Sequence, residues 1–117
     1  MVRQAVRKAA VETGLTLVDQ TKIVTAASEL ARNAFVHGGG GTVEIEIVTS
    51  GIKKGLKLTF IDQGKGIADI ELALKDGYTS GGGLGLGLGG SKRLSDEFSI
   101  ISEPGKGTQI SITRWKG

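Results

Sequence analysis

Residues 28–47, SELARNAFVHGGGGTVEIEI, change their period halfway along. Up to His37 the apolar residues keep helical spacing: Ile23, Ala27, Leu30 and Ala34 make one stripe. The helix that carries them is expected to start after Asp19 as its N-cap and to run to about His37. Gly38 to Gly41 then end it, because consecutive glycines favour a helix stop over its continuation. Beyond them Val43, Ile45 and Ile47 alternate with Glu44 and Glu46, the period of a strand with one face buried.

Reading outward, residues 2–12 predict a first helix, with Val2, Ala5, Val6, Ala9 and Ala10 on one face and Gly14 as its stop. Residues 50–55 predict a polar turn. A second strand over 56–62 places Leu56, Leu58 and Phe60 on one side, in a hairpin with the first strand. A short helix is expected within 67–76 and a loop over 78–83. A glycine-rich helix follows over 86–94, then strands over 98–102 and 108–115 joined by the Pro104-Gly105-Lys106-Gly107 turn. Helices must then cover one face of a mainly antiparallel, mixed sheet, which makes an α+β two-layer sandwich in a single domain spanning 1–117. Strand alternation leaves the other face wetter.

The chain has 117 residues and no cysteine, which excludes disulfide frameworks and thiolate metal sites. No apolar run reaches the roughly 20 residues that span a bilayer, and no signal peptide is read at the N-terminus, so a cytoplasmic protein without a membrane partner is expected. The net charge of +3 is scattered, and aromatics are 4%, which argues against nucleic acid as a partner. Glycine is the unusual component. Seven of the ten residues from Gly81 to Gly90 are Gly, a density that suits backbone approaching a ligand closely.

Glu29 and Asn33 stand four apart on the second helix, so a carboxylate and an amide share one face. Such a pair can orient a hydroxyl or water and supply an oxygen to Mg²⁺; it can equally be an exposed surface pair. Asp62 closes an apolar strand and runs into Gln63-Gly64-Lys65-Gly66, which fits either a ligand with an exocyclic amine or an ordinary Asp-Gly turn. Gly85-Leu86-Gly87-Leu88-Gly89-Gly90 matches G-x-G-x-x-G formally. It follows a loop rather than a strand, however, so a dinucleotide fold is excluded. No G-K-[ST] tripeptide exists, which removes a Walker A loop. His37, the only histidine, has no partner set for a metal or a triad.

Taken in order, Ser28-Glu29-Leu30-Ala31-Arg32-Asn33-Ala34, Asp62-Gln63-Gly64-Lys65-Gly66-Ile67, Gly83-Leu84-Gly85-Leu86-Gly87 and Gly105-Lys106-Gly107-Thr108 resemble the N box and glycine boxes of the GHKL ATPase/kinase superfamily, the Bergerat fold. Within it the RsbT-type switch serine/threonine kinases of bacterial stress signalling are most similar, through Ser28 to Asn33, Gly82 to Gly85 and Lys92-Arg93-Leu94-Ser95-Asp96-Glu97-Phe98-Ser99. The resemblance implies ATP and Mg²⁺ as cofactors. It implies Glu29 as general base, Asn33 on the Mg²⁺ and Asp62 on the adenine amino group. Gly64 and Gly66 would shape the pocket, Thr108 would join its water network, and Gly85 and Gly87 would approach the phosphates. Residues 64–84 would be the ATP lid.

The same resemblance implies a Ser or Thr acceptor on a STAS-domain antagonist or scaffold protein, with a PP2C-type phosphatase as a further partner. Members usually carry a strand ahead of the first helix. Its absence from this sequence fits a truncated chain, a minimal one, or one that relies on a neighbour, such as a second copy in a homodimer, to cover the sheet edge. The main alternative is an anti-sigma factor or phosphatase-activating protein that uses ATP as a conformational ligand. A histidine-kinase catalytic domain is a poorer match, because no phosphoacceptor helix pair precedes it.

Overall fold

The computed structural model describes residues 2–38, 41–64, 87–102 and 105–116. Their order is α1 (Val2–Thr13), α2 (Leu17–Gly38), β1 (Gly41–Ser50), β2 (Lys53–Asp62), α3 (Gly87–Arg93), β3 (Glu97–Ser102) and β4 (Thr108–Trp115). The strands form one sheet in the order β1-β2-β4-β3, every neighbouring pair antiparallel. The two-layer α+β expectation is met, with no parallel pair among the described residues. The helix expected within 67–76, the loop over 78–83 and the lid segment beyond Gly64 lie outside the described residues.

Each boundary has a local cause. Gly14, at φ +86°, stops α1, and Thr13 turns its hydroxyl back onto the Ala9 carbonyl at 2.8 Å. The cap of α2 corrects the sequence reading. Thr16 Oγ1 accepts the Asp19 backbone N–H at 3.1 Å, so Thr16 is the N-cap and Asp19 lies inside the first turn. Both residue types cap well; Thr16 prevails because the turn from Gly14 places it ahead of the first free N–H groups. Only Gly51 and Ile52 separate β1 from β2, a tighter turn than the sequence suggested.

The buried face of α2, through Ile23, Ala27 and Leu30, packs on Leu56, Leu58 and Phe60 of β2 and Ile110 and Ile112 of β4, with Val6, Ala9 and Ala10 of α1 completing the core. Each fully buried Leu or Ile here contributes about 1.5–3 kcal/mol. Two expected core positions are exposed: Ala5, and Ile47, which stands on the edge strand β1 at 44% exposure. The far face of the sheet is polar, as its alternation requires; Thr59 and Ser111 share a hydrogen bond there at 3.3 Å.

Asp19 is freed from capping to fix how α2 sits on the sheet. Its Oδ1 receives Arg114 Nη2 at 2.8 Å, while Arg114 Nη1 reaches the Leu94 carbonyl at 3.4 Å and Asp96 Oδ1 at 3.5 Å. One guanidinium thus ties the start of α2 to the exit of α3 and the end of β4. The Arg114 hydrogen bond, followed by its charge, holds the Asp19 carboxyl below its ordinary value of 3.8 despite opposing burial. A depressed folded pKa adds stability above the unfolded value, and that stability is lost as pH falls through the folded one. Arg114→Met is expected to lower stability by about 1–3 kcal/mol at pH 7. Urea unfolding from pH 7 to pH 2.5 should show the gap to wild type closing only below about pH 4. A gap that is already constant across that range would remove the pair from the acid limb.

Candidate functional site

The sheet register assembles a row of residues at one end. Gly41 stands opposite Asp62 across β1–β2, Asp62 opposite Thr108 across β2–β4, and Ser102 opposite Thr108 across β3–β4. Side chains alternate along a strand, so Asp62 shares the helix-side face with Phe60 and Leu58, as Thr108 does with Ile110 and Ile112. Two residues read separately from the sequence, 46 positions apart, are thereby cross-strand neighbours.

Asp62 is half-buried, and its Oδ1 accepts the Gly64 backbone N–H at 2.9 Å. The turn and the ligand readings of this residue are therefore compatible. One carboxylate oxygen closes the turn, and among the described residues no donor reaches the other. Gly64 belongs to this turn. Thr108, 8% exposed, pairs its hydroxyl with Ser102 Oγ at 2.9 Å, and Ser102 Oγ donates to the Gly107 carbonyl at 3.0 Å.

The backbone beside Asp62 is hemmed in from both sides. A Cβ on Gly41 would run into the Ile61 carbonyl oxygen. A Cβ on Gly107, whose φ is +83°, would overlap the Asp62 carbonyl oxygen and stand 3.0 Å from Gln63 Cα. Asp62 is thus held between two strands that come closer than any side chain would allow. An open cleft of about 330 Å³ lies at this end, lined by Asp62, Gln63, Ser102, Lys106, Gly107 and Thr108, and by Ile61, Ile101 and Gln109 of the outer face.

Helix α2 carries two further candidates toward the same end. The start of α2 is pinned to the far end of β4 through Asp19 and Arg114, and its last turn leads within three residues to Gly41. Its second half, carrying Glu29 and Asn33, therefore runs toward the Asp62 end. Glu29 is half-buried between the buried Ala26, Ala27 and Leu30. Asn33 is helical in backbone, and its side chain lies outside the described residues, as does that of His37. Arg114 anchors the exit of α3, and Gly87 opens that helix. Gly66 and Gly85 lie outside the described residues.

Sequence reasoning did not single out Gly41 or Ser102. A signal existed for Ser102: it ends the strand before the Pro-Gly-Lys-Gly turn and Thr108 begins the strand after it, so a hairpin brings the two near each other. For Gly41 there was none, because the fourth glycine of a run looks like the others.

Among the described residues no three His, Asp or Glu side chains gather as a metal cage. The hard amide oxygen of an Asn such as Asn33, paired with phosphate oxygens, suits Mg²⁺, which typically takes one or two protein ligands. No helix among the described residues is long and apolar enough to cross a membrane.

Comparison with known proteins shows the family. Residues 18–116 match the family described as histidine kinase-, DNA gyrase B-, and HSP90-like ATPase. The chain is 50% identical over 113 residues to serine/threonine-protein kinase RsbT of Bacillus subtilis, covering 97% of this chain and 85% of that protein. It is 34% identical to an anti-sigma F factor of Thermoanaerobacter over 108 residues, 87% of this chain and 74% of that one. A Clostridium acetobutylicum anti-sigma F factor is 35% identical over 118 residues, 96% and 81% respectively.

Proposed function

The chain belongs to the histidine kinase-, DNA gyrase B- and HSP90-like ATPase family, and from that premise we propose that it is an ATP-dependent protein serine/threonine kinase of bacterial partner switching, acting in the cytoplasm. The observation that carries the site is the Asp62–Thr108 pair, set at the sheet end toward which α2 runs.

Asp62 receives the adenine amino group through its unengaged carboxylate oxygen, beside Thr108. Gly64 and Gly66 shape the base pocket, and Gly85 and Gly87 let backbone N–H groups approach the phosphates. Residues 64–84 form the lid, and the single domain spans 1–117. Asn33 would hold Mg²⁺, which would neutralise triphosphate charge. Glu29 takes the proton of the acceptor hydroxyl as its oxygen bonds to the γ-phosphorus and the bond to the β,γ-bridging oxygen breaks, releasing ADP. The acceptor is a Ser or Thr on a STAS-domain antagonist or scaffold. Its phosphorylation frees the kinase for a second partner, a PP2C-type phosphatase. A second copy of the chain is the candidate for the edge of β1 that no strand among the described residues pairs.

The anti-sigma F relatives favour one other reading, in which ATP sets conformation without transfer to a substrate. Incubation with γ-labelled ATP, Mg²⁺ and STAS-domain candidates separates the two: label on a Ser or Thr supports the kinase, and ATP binding without any transfer supports the binding protein. For the base pocket, Asp62→Asn keeps the oxygen that closes the turn but removes the charge. It is expected to raise the Kd for ATP by about 10- to 100-fold in titration calorimetry, the loss of one charge-assisted hydrogen bond. An unchanged Kd would take Asp62 out of the adenine site.

A further inference from the structure

The hydrogen bond from Ser102 Oγ to the Gly107 carbonyl sets the direction of the Ser102–Thr108 contact at the sheet end. Gly107 contributes a carbonyl, which can only accept, so the single hydroxyl hydrogen of Ser102 is committed to it at 3.0 Å. The 2.9 Å contact between Ser102 Oγ and Thr108 Oγ1 then needs its hydrogen from Thr108. Thr108, nearly buried, has spent its only donor on Ser102, and what remains on its oxygen is acceptor capacity. Directly across the strand pair stands the Asp62 carboxylate, also an acceptor. Asp62 and Thr108 thus offer acceptors from two strands, and neither hydroxyl of the Ser102–Thr108 pair is left to donate to a ligand.

We propose that Ser102 is a specificity-determining residue that, by fixing the proton of Thr108, makes the base pocket select an amino purine over an oxo purine. This rests on the nucleotide-site reading above and deepens it. A 6-amino group donates to both acceptors, directly or through a water. A 6-oxo group brings a third acceptor to the same place and leaves buried lone pairs facing one another. Ser102 acts through Thr108 and touches no ligand itself. Its position is set by the hairpin: β3 ends at Ser102, β4 begins at Thr108, and the left-handed Gly105 and Gly107 turn the chain so that the two side chains share a face.

The test compares binding of ATP and ITP, which differ in that 6-substituent, to wild type, Ser102→Ala, Ser102→Thr, Thr108→Val and the Ser102→Ala/Thr108→Val double variant, each checked for folding by circular dichroism. Wild type is expected to prefer ATP by at least about tenfold. Ser102→Ala, which releases the Thr108 proton, should cut that preference by about 5- to 10-fold, mainly through tighter ITP binding. Ser102→Thr restores the hydroxyl and should keep the wild-type ratio. In the Thr108→Val background, Ser102→Ala should leave the ratio where it is. The proposal is overturned if Ser102→Ala weakens both nucleotides equally, as a merely structural role would, if it leaves the ratio unchanged, or if it shifts the ratio equally without Thr108. Wild type that binds neither nucleotide, or Asp62→Asn that leaves ATP binding intact, would instead overturn the base-pocket reading, and this inference with it.

Discussion

Glu29→Gln is expected to slow transfer of labelled phosphate from ATP to an acceptor protein by about 10²- to 10⁴-fold, with ATP affinity nearly unchanged. The amide keeps the shape and a hydrogen-bonding oxygen but cannot take the acceptor proton. Because Ala26, Ala27 and Leu30 around it are buried, the helix cannot rotate to present another residue. A loss confined to the chemical step is therefore the predicted signature. Single-turnover measurements at saturating ATP separate that step from binding and release. A variant that transfers at the wild-type rate would leave Glu29 as a surface carboxylate and the site without a base.

Gly107→Ala is expected to cost about 2–4 kcal/mol of folding stability and at least about tenfold in ATP affinity. Two terms add. A left-handed φ of +83° disfavours any L side chain by about 1–2 kcal/mol. The new Cβ also overlaps the Asp62 carbonyl, which is backbone and cannot swing aside, so β2 and β4 must part where Asp62 and Thr108 face each other. Gly105 is the internal control. Its φ is +81°, but a Cβ there meets nothing within 4 Å, so Gly105→Ala should show the conformational cost alone and bind ATP normally. Urea unfolding and ATP titration of both variants decide the matter. Equal effects on stability and on binding would mean that the close approach of the strands contributes nothing.

The change of period at Gly38–Gly41 was enough to read the layers, and the alternation of 43–47, 56–60 and 108–115 was enough to read which side chains point inward. Register could not be read in that way. Nothing in local periodicity says that Asp62 faces Thr108 rather than Ile110, because pairing between β2 and β4 joins segments separated by a helix and a long glycine-rich stretch. Capping at Thr16 over Asp19 was likewise undecidable by residue type, since the deciding fact, Arg114 waiting for the Asp19 carboxylate, is 95 residues away. Glu29 and Asn33 were legible as a pair because helical spacing is local. The family's motif order, rather than any single motif, joined them to Asp62 and the glycines.

The polarity of the sheet also bears on how such a sequence can drift. The Gly41–Asp62–Thr108–Ser102 row stands at one rim, while the Gly51–Ile52 turn, with Ile52 fully exposed, caps the opposite rim. A residue inserted within β2 or β4 would send Asp62 or Thr108 to the other face. Lengthening the Gly51–Ile52 turn disturbs neither. Lineages descended from this chain should therefore accumulate insertions and deletions at that turn and almost none along the Gly41–Asp62–Thr108–Ser102 row. The same turn is the natural place to splice in an epitope or a reporter domain.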